Sequence, residues 1–118
     1  MDHIKKAEAQ THSFFDGAVS VNEYNFQDTS LNDADIVITG RYPLEGYAIN
    51  DVSTALVSVE SGSGSIDIIG SDAQNLEVGD RLLIKAGDAY AFTAFGKLAL
   101  RYIATPAWTA DQARIVEG

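Results

Sequence analysis

Few side chains in this sequence of 118 residues could carry out acid–base or nucleophilic chemistry. It has no cysteine, which excludes disulfides, thiolate metal sites and a cysteine nucleophile. Its two histidines, His3 and His12, lie near the N-terminus, in a polar segment that we expect to be a loose arm. We therefore expect no Ser–His–Asp triad in the body of the domain and no metal bound by these histidines.

The acidic residues give the chain a formal net charge of −9. Most of them fall in turns, where capping and solubility explain them, and Glu60 and Asp67 alternate with apolar residues and so are expected to face outward. The eight Lys and Arg residues are scattered along the chain. An acidic surface without a basic patch repels nucleic acid and anionic membranes, so we expect neither as a partner.

The run of Arg41, Tyr42 and Pro43 has two interpretations. The guanidinium could clamp a carboxylate or phosphate of a ligand through two hydrogen bonds. Alternatively, Arg41 pairs with a nearby acid such as Glu45, and Pro43 ends the strand. The acidity of the chain favours the second interpretation.

Short apolar and β-branched runs, separated by clusters of Gly, Asn, Asp and Ser, predict an all-β sandwich or barrel. The predicted strands are 19–24, 35–39, 55–59, 65–69, 81–85, 90–95 and 98–103. Ser61–Gly64 predicts a hairpin turn, and Gly96 predicts a tight turn before the last long strand. Thr109–Val116 has the pattern of a short helix capped by Thr109. We interpret residues 1–12 as a flexible N-terminal arm and 13–118 as a single domain.

The N-terminal residues contain no apolar run after Lys5 and Lys6, so we expect no secretory signal. No window approaches the roughly 18 apolar residues of a membrane span. A cytoplasmic location is the expectation that follows.

Two segments resemble the two conserved motifs of the cupins. The first runs from GRYPLEG at 40–46 through Asn50 to ALVSVESGSGSI at 55–66, and the second is LEVGDRLLIKAGDAY at 76–90. The resemblance implies a cupin-type double-stranded β-helix, a jelly-roll barrel, over roughly residues 35–105. The chain is also similar to a subgroup of small bacterial cupins with a GRYP run and a late TPAW, which stands here at 105–108.

Cupin motifs usually supply metal ligands, and this sequence replaces them. The two His and one Glu of the first motif, counted back from its Gly-rich turn, fall on Ala48, Asn50 and Ala55. Counting forward from the start of the motif instead places the two His on Gly46 and Ala48. The His of the second motif becomes Tyr90. A stable site needs three or four converging N, O or S donors, so the resemblance implies a cupin with no metal or other cofactor.

A pocket in such a barrel should be lined from these positions and from side chains on the same faces. The expected ligand-binding residues are Arg41, Tyr42, Tyr47, Asn50, Tyr90, Phe92 and Tyr102. On the last long strand, Leu98, Leu100 and Tyr102 are expected to face inward. Trp108 closes the pocket, anchors a second chain or packs in the core. The alternative is that the aromatic side chains simply fill the barrel.

Three functional hypotheses follow. The first is a metal-free cupin-like protein that binds a small polar or aromatic ligand in the barrel and forms a homodimer. The second is a metal-independent enzyme of the sugar-isomerase or lyase type, with Tyr90 as general acid and Asn50 orienting the substrate. The third is a structural dimer without a ligand. The sequence leaves open whether the protein is an enzyme.

Overall fold

The computed structural model describes residues 1–26 and 30–118, without the side chain of Ala110. Over these residues the chain is nearly all β, with two single-turn 3₁₀ helices at Lys6–Glu8 and Ala110–Gln112. The strands are β1 (Gln10–Phe14), β2 (Val19–Asn25), β3 (Asn32–Tyr42), β4 (Tyr47–Asn50), β5 (Thr54–Ile68), β6 (Gln74–Leu76), β7 (Arg81–Ile84), β8 (Ala89–Thr105) and β9 (Ala113–Val116). The prediction of an all-β fold is confirmed.

All the strand pairings are antiparallel, and the sheet runs in the order β1-β2-β3-β8-β4-β9. β5 pairs with β8 over nearly its whole length and also with β6 and β7, which curls the sheet around a shared interior. Alternation along each strand decides which side chains enter this interior. Leu98 and Leu100 of β8 are almost completely buried there, as predicted, together with Ile38 of β3.

The glycines expected to form turns instead bend two long strands. β5 continues through the predicted hairpin at Ser61–Gly64, and β8 continues past Gly96, so both turn predictions are wrong. Gly62 has φ +79°, and a Cβ there would overlap the carbonyl oxygen of Lys97 on β8. A bulge and a tight turn both need glycine at positive φ, which is why the sequence signal is the same for both.

Both chain termini take part in the sheet. Residues 10–12, predicted to belong to the arm, lie in β1 and pair with β2, so the predicted boundary is wrong at these positions. The mobility of the residues before β1 stays a prediction. The predicted helix at Thr109–Val116 is also wrong, because after one 3₁₀ turn the chain forms β9 on the free edge of β4. Within the described residues, no helix is long and apolar enough to cross a membrane.

Candidate functional site

A cavity of about 600 Å³ opens on the inner face of β1, β2, β3 and β8. Its walls are mainly apolar, with Val21, Ile36 and Leu100 among the lining side chains. Trp108, for which the sequence leaves several roles open, also lines it. The aromatic side chains therefore form part of the wall and leave the barrel open, contrary to the alternative of a filled core.

Three tyrosines and one phenylalanine of the predicted site come together in this cavity. Tyr42 ends β3, and Tyr90, Phe92 and Tyr102 lie on β8, whose bend brings its two ends to the same space. The hydroxyls of Tyr42 and Tyr102 lie near that of Tyr90 and influence its pKa. The Tyr90 ring centroid lies 6.5 Å from that of Tyr42 and 5.6 Å from that of Phe92, the latter edge to face.

Burial keeps these phenols in their neutral form. It raises the pKa of Tyr102 to about 12, with a smaller contribution from the nearby Tyr42. Burial also raises the pKa of Tyr90 well above its usual value, and the neighbouring Tyr102 and Tyr42 raise it further. The pKa of Tyr42 is raised by burial too, although its hydrogen bond with Tyr90 opposes the rise. The cluster therefore presents uncharged hydroxyl groups to the cavity at physiological pH.

A histidine and a glutamate that were not among the predicted site residues also line the cavity. His12 of β1 places its Nε2 3.7 Å from a carboxylate oxygen of Glu23 on β2, and its ring stacks against Phe14 at 6.4 Å. The expectation that no histidine belongs to the body of the barrel is therefore wrong. The available signal was the spacing of His12 and Phe14 on one face of a strand, but every residue of β1 is exposed and most are polar.

Strand register fixes where this pair stands relative to the tyrosines. Glu23 is opposite Ala34, and Ala34 is opposite Tyr102, so the three residues form one row across β2, β3 and β8. Neighbouring strands lie about 4.8 Å apart, which puts the backbones of Glu23 and Tyr102 about 10 Å apart. All three line the cavity, and the small methyl of Ala34 leaves space between the carboxylate and the phenol.

Two predicted ligand-binding residues, Arg41 and Tyr47, lie outside the lining of the cavity. The Arg41 guanidinium donates a hydrogen bond to the carbonyl of Pro43 at 2.8 Å and sits 5.4 Å over the Tyr47 ring. Its partner is thus a backbone carbonyl and an aromatic face, not the expected Glu45. The role we assign to this contact is to hold the chain between β3 and β4.

Asn50 is also misassigned by the sequence, since it holds a turn together and does not line the cavity. Its side-chain oxygen accepts hydrogen bonds from the backbone amides of Val52 and Ser53, both at 2.8 Å. Its amide nitrogen donates to Gln112 at 3.2 Å. The buried Ser53 hydroxyl donates to the carbonyl of Pro106 at 2.7 Å, which ties the segment before Trp108 to the barrel.

The residues at the cupin ligand positions do not fit a metal ion. Ala48 and Ala55 are buried and have no donor atom, the Asn50 side-chain oxygen already accepts two backbone hydrogen bonds, and Tyr90 is held as a neutral phenol. In the part of the chain that the structure describes, no three His, Cys, Asp or Glu side chains come together as a possible metal site. Neutral amides and phenols are poor ligands for the divalent ions concerned.

The fold is that of the cupin-type barrels. The nucleoside dehydratase Pac13 superimposes with a TM-score of 0.81 at 16% identity, covering 99% of this chain and 92% of that one. A tyrosine-to-phenylalanine variant of Streptomyces PAC13 with uridine gives 0.80 at 18% identity, covering 99% and 93%. The polyketide cyclase RemF from Streptomyces resistomycificus gives 0.75 at 10% identity, covering 98% and 85%. No protein-family model and no curated protein matches the sequence.

At these identities the likeness concerns the fold alone. The prediction of a cupin-type double-stranded β-helix is confirmed at that level.

Proposed function

We propose that the barrel binds a small organic molecule with an apolar ring and one or two oxygen atoms, and that it does so without a metal. The observation that carries this proposal is the cavity of about 600 Å³ with three neutral tyrosine hydroxyls in an apolar wall. Small-molecule sites typically have volumes of about 300–1,000 Å³, apolar walls and a few placed polar groups. The apolar wall suits the ring, and the hydroxyls suit its oxygen substituents.

The solved structures of similar fold suggest which ligands to test first. One holds uridine, and another is that of a polyketide cyclase, so both concern ring compounds with oxygen substituents. Uridine and small phenolic or cyclic ketones are therefore the first probes. A thermal-shift screen with these compounds, sugars and organic acids is expected to raise the melting temperature for at least one ring compound. A melting temperature unchanged across the panel would favour a structural protein without a ligand.

Filling the cavity at Ala34 tests whether binding occurs inside the barrel. Ala34→Leu adds a branched side chain between Glu23 and Tyr102 and is expected to weaken binding at least tenfold, a change of about 1.4 kcal/mol. Ala99→Leu is the matched control, because Ala99 alternates with Leu98 and Leu100 and so faces away from the cavity. Equal affinities of the two variants in isothermal titration calorimetry would contradict the proposed site.

The metal-free part of the proposal rests on the donor atoms at the cupin ligand positions. Elemental analysis of the purified, dialysed protein is expected to find no stoichiometric Fe, Mn, Ni or Zn. A stoichiometric metal that survives dialysis would contradict the proposal, whatever the protein binds in addition.

A second candidate function is a metal-independent enzyme of the isomerase or lyase type with Tyr90 as its hydrogen-bond donor. The supporting observation is that burial raises the pKa of Tyr90 well above its usual value, so the phenol keeps its proton. Such a donor stabilises an oxygen that becomes negatively charged during reaction. Tyr90→Phe is expected to abolish turnover and to leave most of the ligand affinity. Unchanged turnover would remove Tyr90 from the mechanism.

We further propose a homodimer, a cytoplasmic location and membership of the small bacterial subgroup with GRYP and TPAW runs. Leu56 and Leu83 support the dimer, because they pair across β5 and β7 and their side chains are about half exposed. Light scattering coupled to size-exclusion chromatography tests the dimer, and a monomer at micromolar concentration would contradict it.

A further inference from the structure

We propose that His12 and Glu23 are the proton-transfer pair of this cavity, and that its substrates are carbonyl compounds with a removable hydrogen on the neighbouring carbon. This inference rests on the proposed ligand-binding function and assigns a reaction class to the same cavity. It concerns two residues that lie outside the cupin motifs of the sequence. It also gives the tyrosine cluster a specific partner on the other side of the ligand.

Few of the side chains that line the cavity are ionisable. Among the described residues that line the cavity, the ionisable groups are His12, Glu23 and the three clustered tyrosines. The tyrosines stay neutral, so one imidazole and one carboxylic side chain are the remaining acid–base groups of the cavity wall. These two groups face each other at 3.7 Å, and β1 and β2 hold them side by side.

The geometry of the pair suits an imidazole that accepts a proton. The Glu23 carboxylate faces Nε2, so it favours the tautomer with hydrogen on Nε2 and leaves the Nδ1 lone pair for a substrate. A base oriented by a third group is the general arrangement of activated proton acceptors. The distance of 3.7 Å is longer than a hydrogen bond, and such contacts commonly tighten when a substrate binds.

The row from Glu23 through Ala34 to Tyr102 sets the position of the substrate. A molecule above the Ala34 methyl has the His12–Glu23 pair on one side and the phenol hydroxyls on the other. The backbone separation of about 10 Å leaves room for a ring or a short carbon chain between them. A carbonyl oxygen directed at the phenols thus leaves the neighbouring C–H directed at the imidazole.

The proposed step balances without an oxidant, a reductant or a second substrate. The imidazole of His12 takes the hydrogen from the carbon next to the carbonyl, and the C–H electron pair forms a C=C bond. The carbonyl π electrons move to oxygen, and the resulting enolate oxygen accepts a hydrogen bond from Tyr102 or Tyr90. The imidazolium then returns the proton to the same carbon. Alternatively, it protonates a hydroxyl on the β carbon; the enolate re-forms the C=O bond, the C=C bond shifts to the α and β carbons, and the C–O bond breaks to release water.

Hydrogen exchange at carbon tests the proton transfer directly. The probe is 4-hydroxy-4-phenylbutan-2-one, which combines a ketone at C2, exchangeable hydrogens at C3, and a hydroxyl and a phenyl ring at C4. In D₂O, the protein is expected to accelerate replacement of the probe's C3 hydrogens by deuterium, followed by proton NMR. Elimination of water would additionally give a conjugated ketone with strong ultraviolet absorbance.

Two variants separate a chemical role of His12 from a structural one. His12→Ala is expected to slow exchange at saturating probe by about 100-fold, the usual contribution of a positioned base, with the probe's dissociation constant unchanged. Added imidazole is expected to restore part of the rate. It would restore nothing if the substitution slowed exchange through a structural defect. His3→Ala is the matched control and should exchange the probe at the wild-type rate. Wild-type exchange by His12→Ala would overturn the proposal.

Glu23 is a positioning residue in this scheme, because it acts through His12. Glu23→Gln is expected to lower the saturating exchange rate by about 10- to 100-fold, as for groups that orient a histidine elsewhere, without a change in the dissociation constant. Glu77→Gln, an exposed turn residue, is its control. A Glu23→Gln rate equal to that of the wild type would overturn the role of the carboxylate.

Binding of the probe and exchange of its hydrogens are measured independently, so the ligand-binding proposal and the proton-transfer proposal can be tested apart from each other. Saturable binding that Ala34→Leu weakens, with exchange no faster than in buffer, would overturn the proton-transfer pair and leave the proposed ligand site in place. Absence of saturable binding of the probe would overturn both for this class of ketone.

Discussion

Removing the hydroxyl of Tyr102 should change how the stability of the protein depends on pH. Burial raises the pKa of this phenol from 10.0 to about 12 in the folded protein. The folded state therefore keeps the proton over a pH range in which the unfolded chain has already lost it. By linkage, the stability associated with the neutral phenol is fully present below pH 10 and is lost as the pH rises to about 12.

The size of the effect follows from the shift. One pKa unit corresponds to about 1.4 kcal/mol, so a shift of about two units corresponds to about 2.7 kcal/mol of unfolding free energy. At neutral pH, Tyr102→Phe loses the interaction of its hydroxyl with the neighbouring Tyr90 and is expected to be less stable than the wild type by about 0.5–1.5 kcal/mol. Near pH 12 the order is expected to reverse, because only the wild type has to ionise a buried Tyr102.

Urea unfolding of both proteins at neutral pH, at about pH 10 and at about pH 12 measures this crossing. The Lys and Arg titrations are common to both proteins and cancel in the difference between their unfolding free energies. Tyr47→Phe makes the same chemical change outside the cavity and is expected to follow the wild-type pH dependence. Parallel curves for Tyr102→Phe and the wild type would refute the reasoning, because they would mean that folding does not keep the Tyr102 proton in place.

Three further predictions concern the barrel itself. Asn50→Ala is expected to destabilise the protein by about 2–4 kcal/mol in urea unfolding, because two backbone amides lose their acceptor; a loss below about 1 kcal/mol would contradict its structural role. Gly62→Ala and Gly70→Ala both place alanine at positive φ, which is expected to lower the free energy of unfolding by about 1–2 kcal/mol in each variant. Only Gly62→Ala also meets the Lys97 carbonyl, which should cost about 1–3 kcal/mol more, and equal losses would argue against the continuous β5. Dialysis against EDTA is expected to leave the melting temperature unchanged, and a fall would reveal a bound metal.

The parts of the site that the sequence predicts are those decided by alternation along a strand. Tyr90 and Phe92 were expected in the cavity from the second motif and its strand, and Leu100 and Tyr102 from the apolar face of the last strand. All four line the cavity. In an antiparallel sheet with one buried face, a period of two residues determines which side chains face inward, and no long-range information is needed.

The parts that the sequence misassigns depend on partners far along the chain. Asn50 is polar and lies at a former ligand position, yet its orientation is set by Gln112, which is distant in sequence. Arg41 has charged neighbours in sequence, yet its closest partners are a carbonyl and the Tyr47 ring. Each polar side chain has several chemically suitable hydrogen-bond or ion-pair partners in the sequence, and only the tertiary structure determines which of them it contacts.

His12 shows a different limit of sequence interpretation. β1 lies at the edge of the sheet, and its residues are all exposed, so hydrophobic alternation does not mark it as a strand. Its pairing with β2 uses backbone hydrogen bonds, which nearly every residue type can form, and polar side-chain contacts such as that of Thr11 with Asn22. A functional histidine on an edge strand is thus indistinguishable in sequence from a solvated one.

The tyrosine cluster puts polar groups into the otherwise apolar wall of the cavity. Tyr90 is buried and Tyr42 and Tyr102 are partly buried, so the three neighbouring hydroxyls place polar groups in a largely apolar wall, which is costly unless they find partners. Each hydroxyl carries one donor, which suits a ligand with an acceptor oxygen, whereas phenylalanines at the same positions would offer none. The arrangement therefore requires of its ligand what the His12–Glu23 proposal also requires, an oxygen directed at the phenols and the rest of the molecule above Ala34.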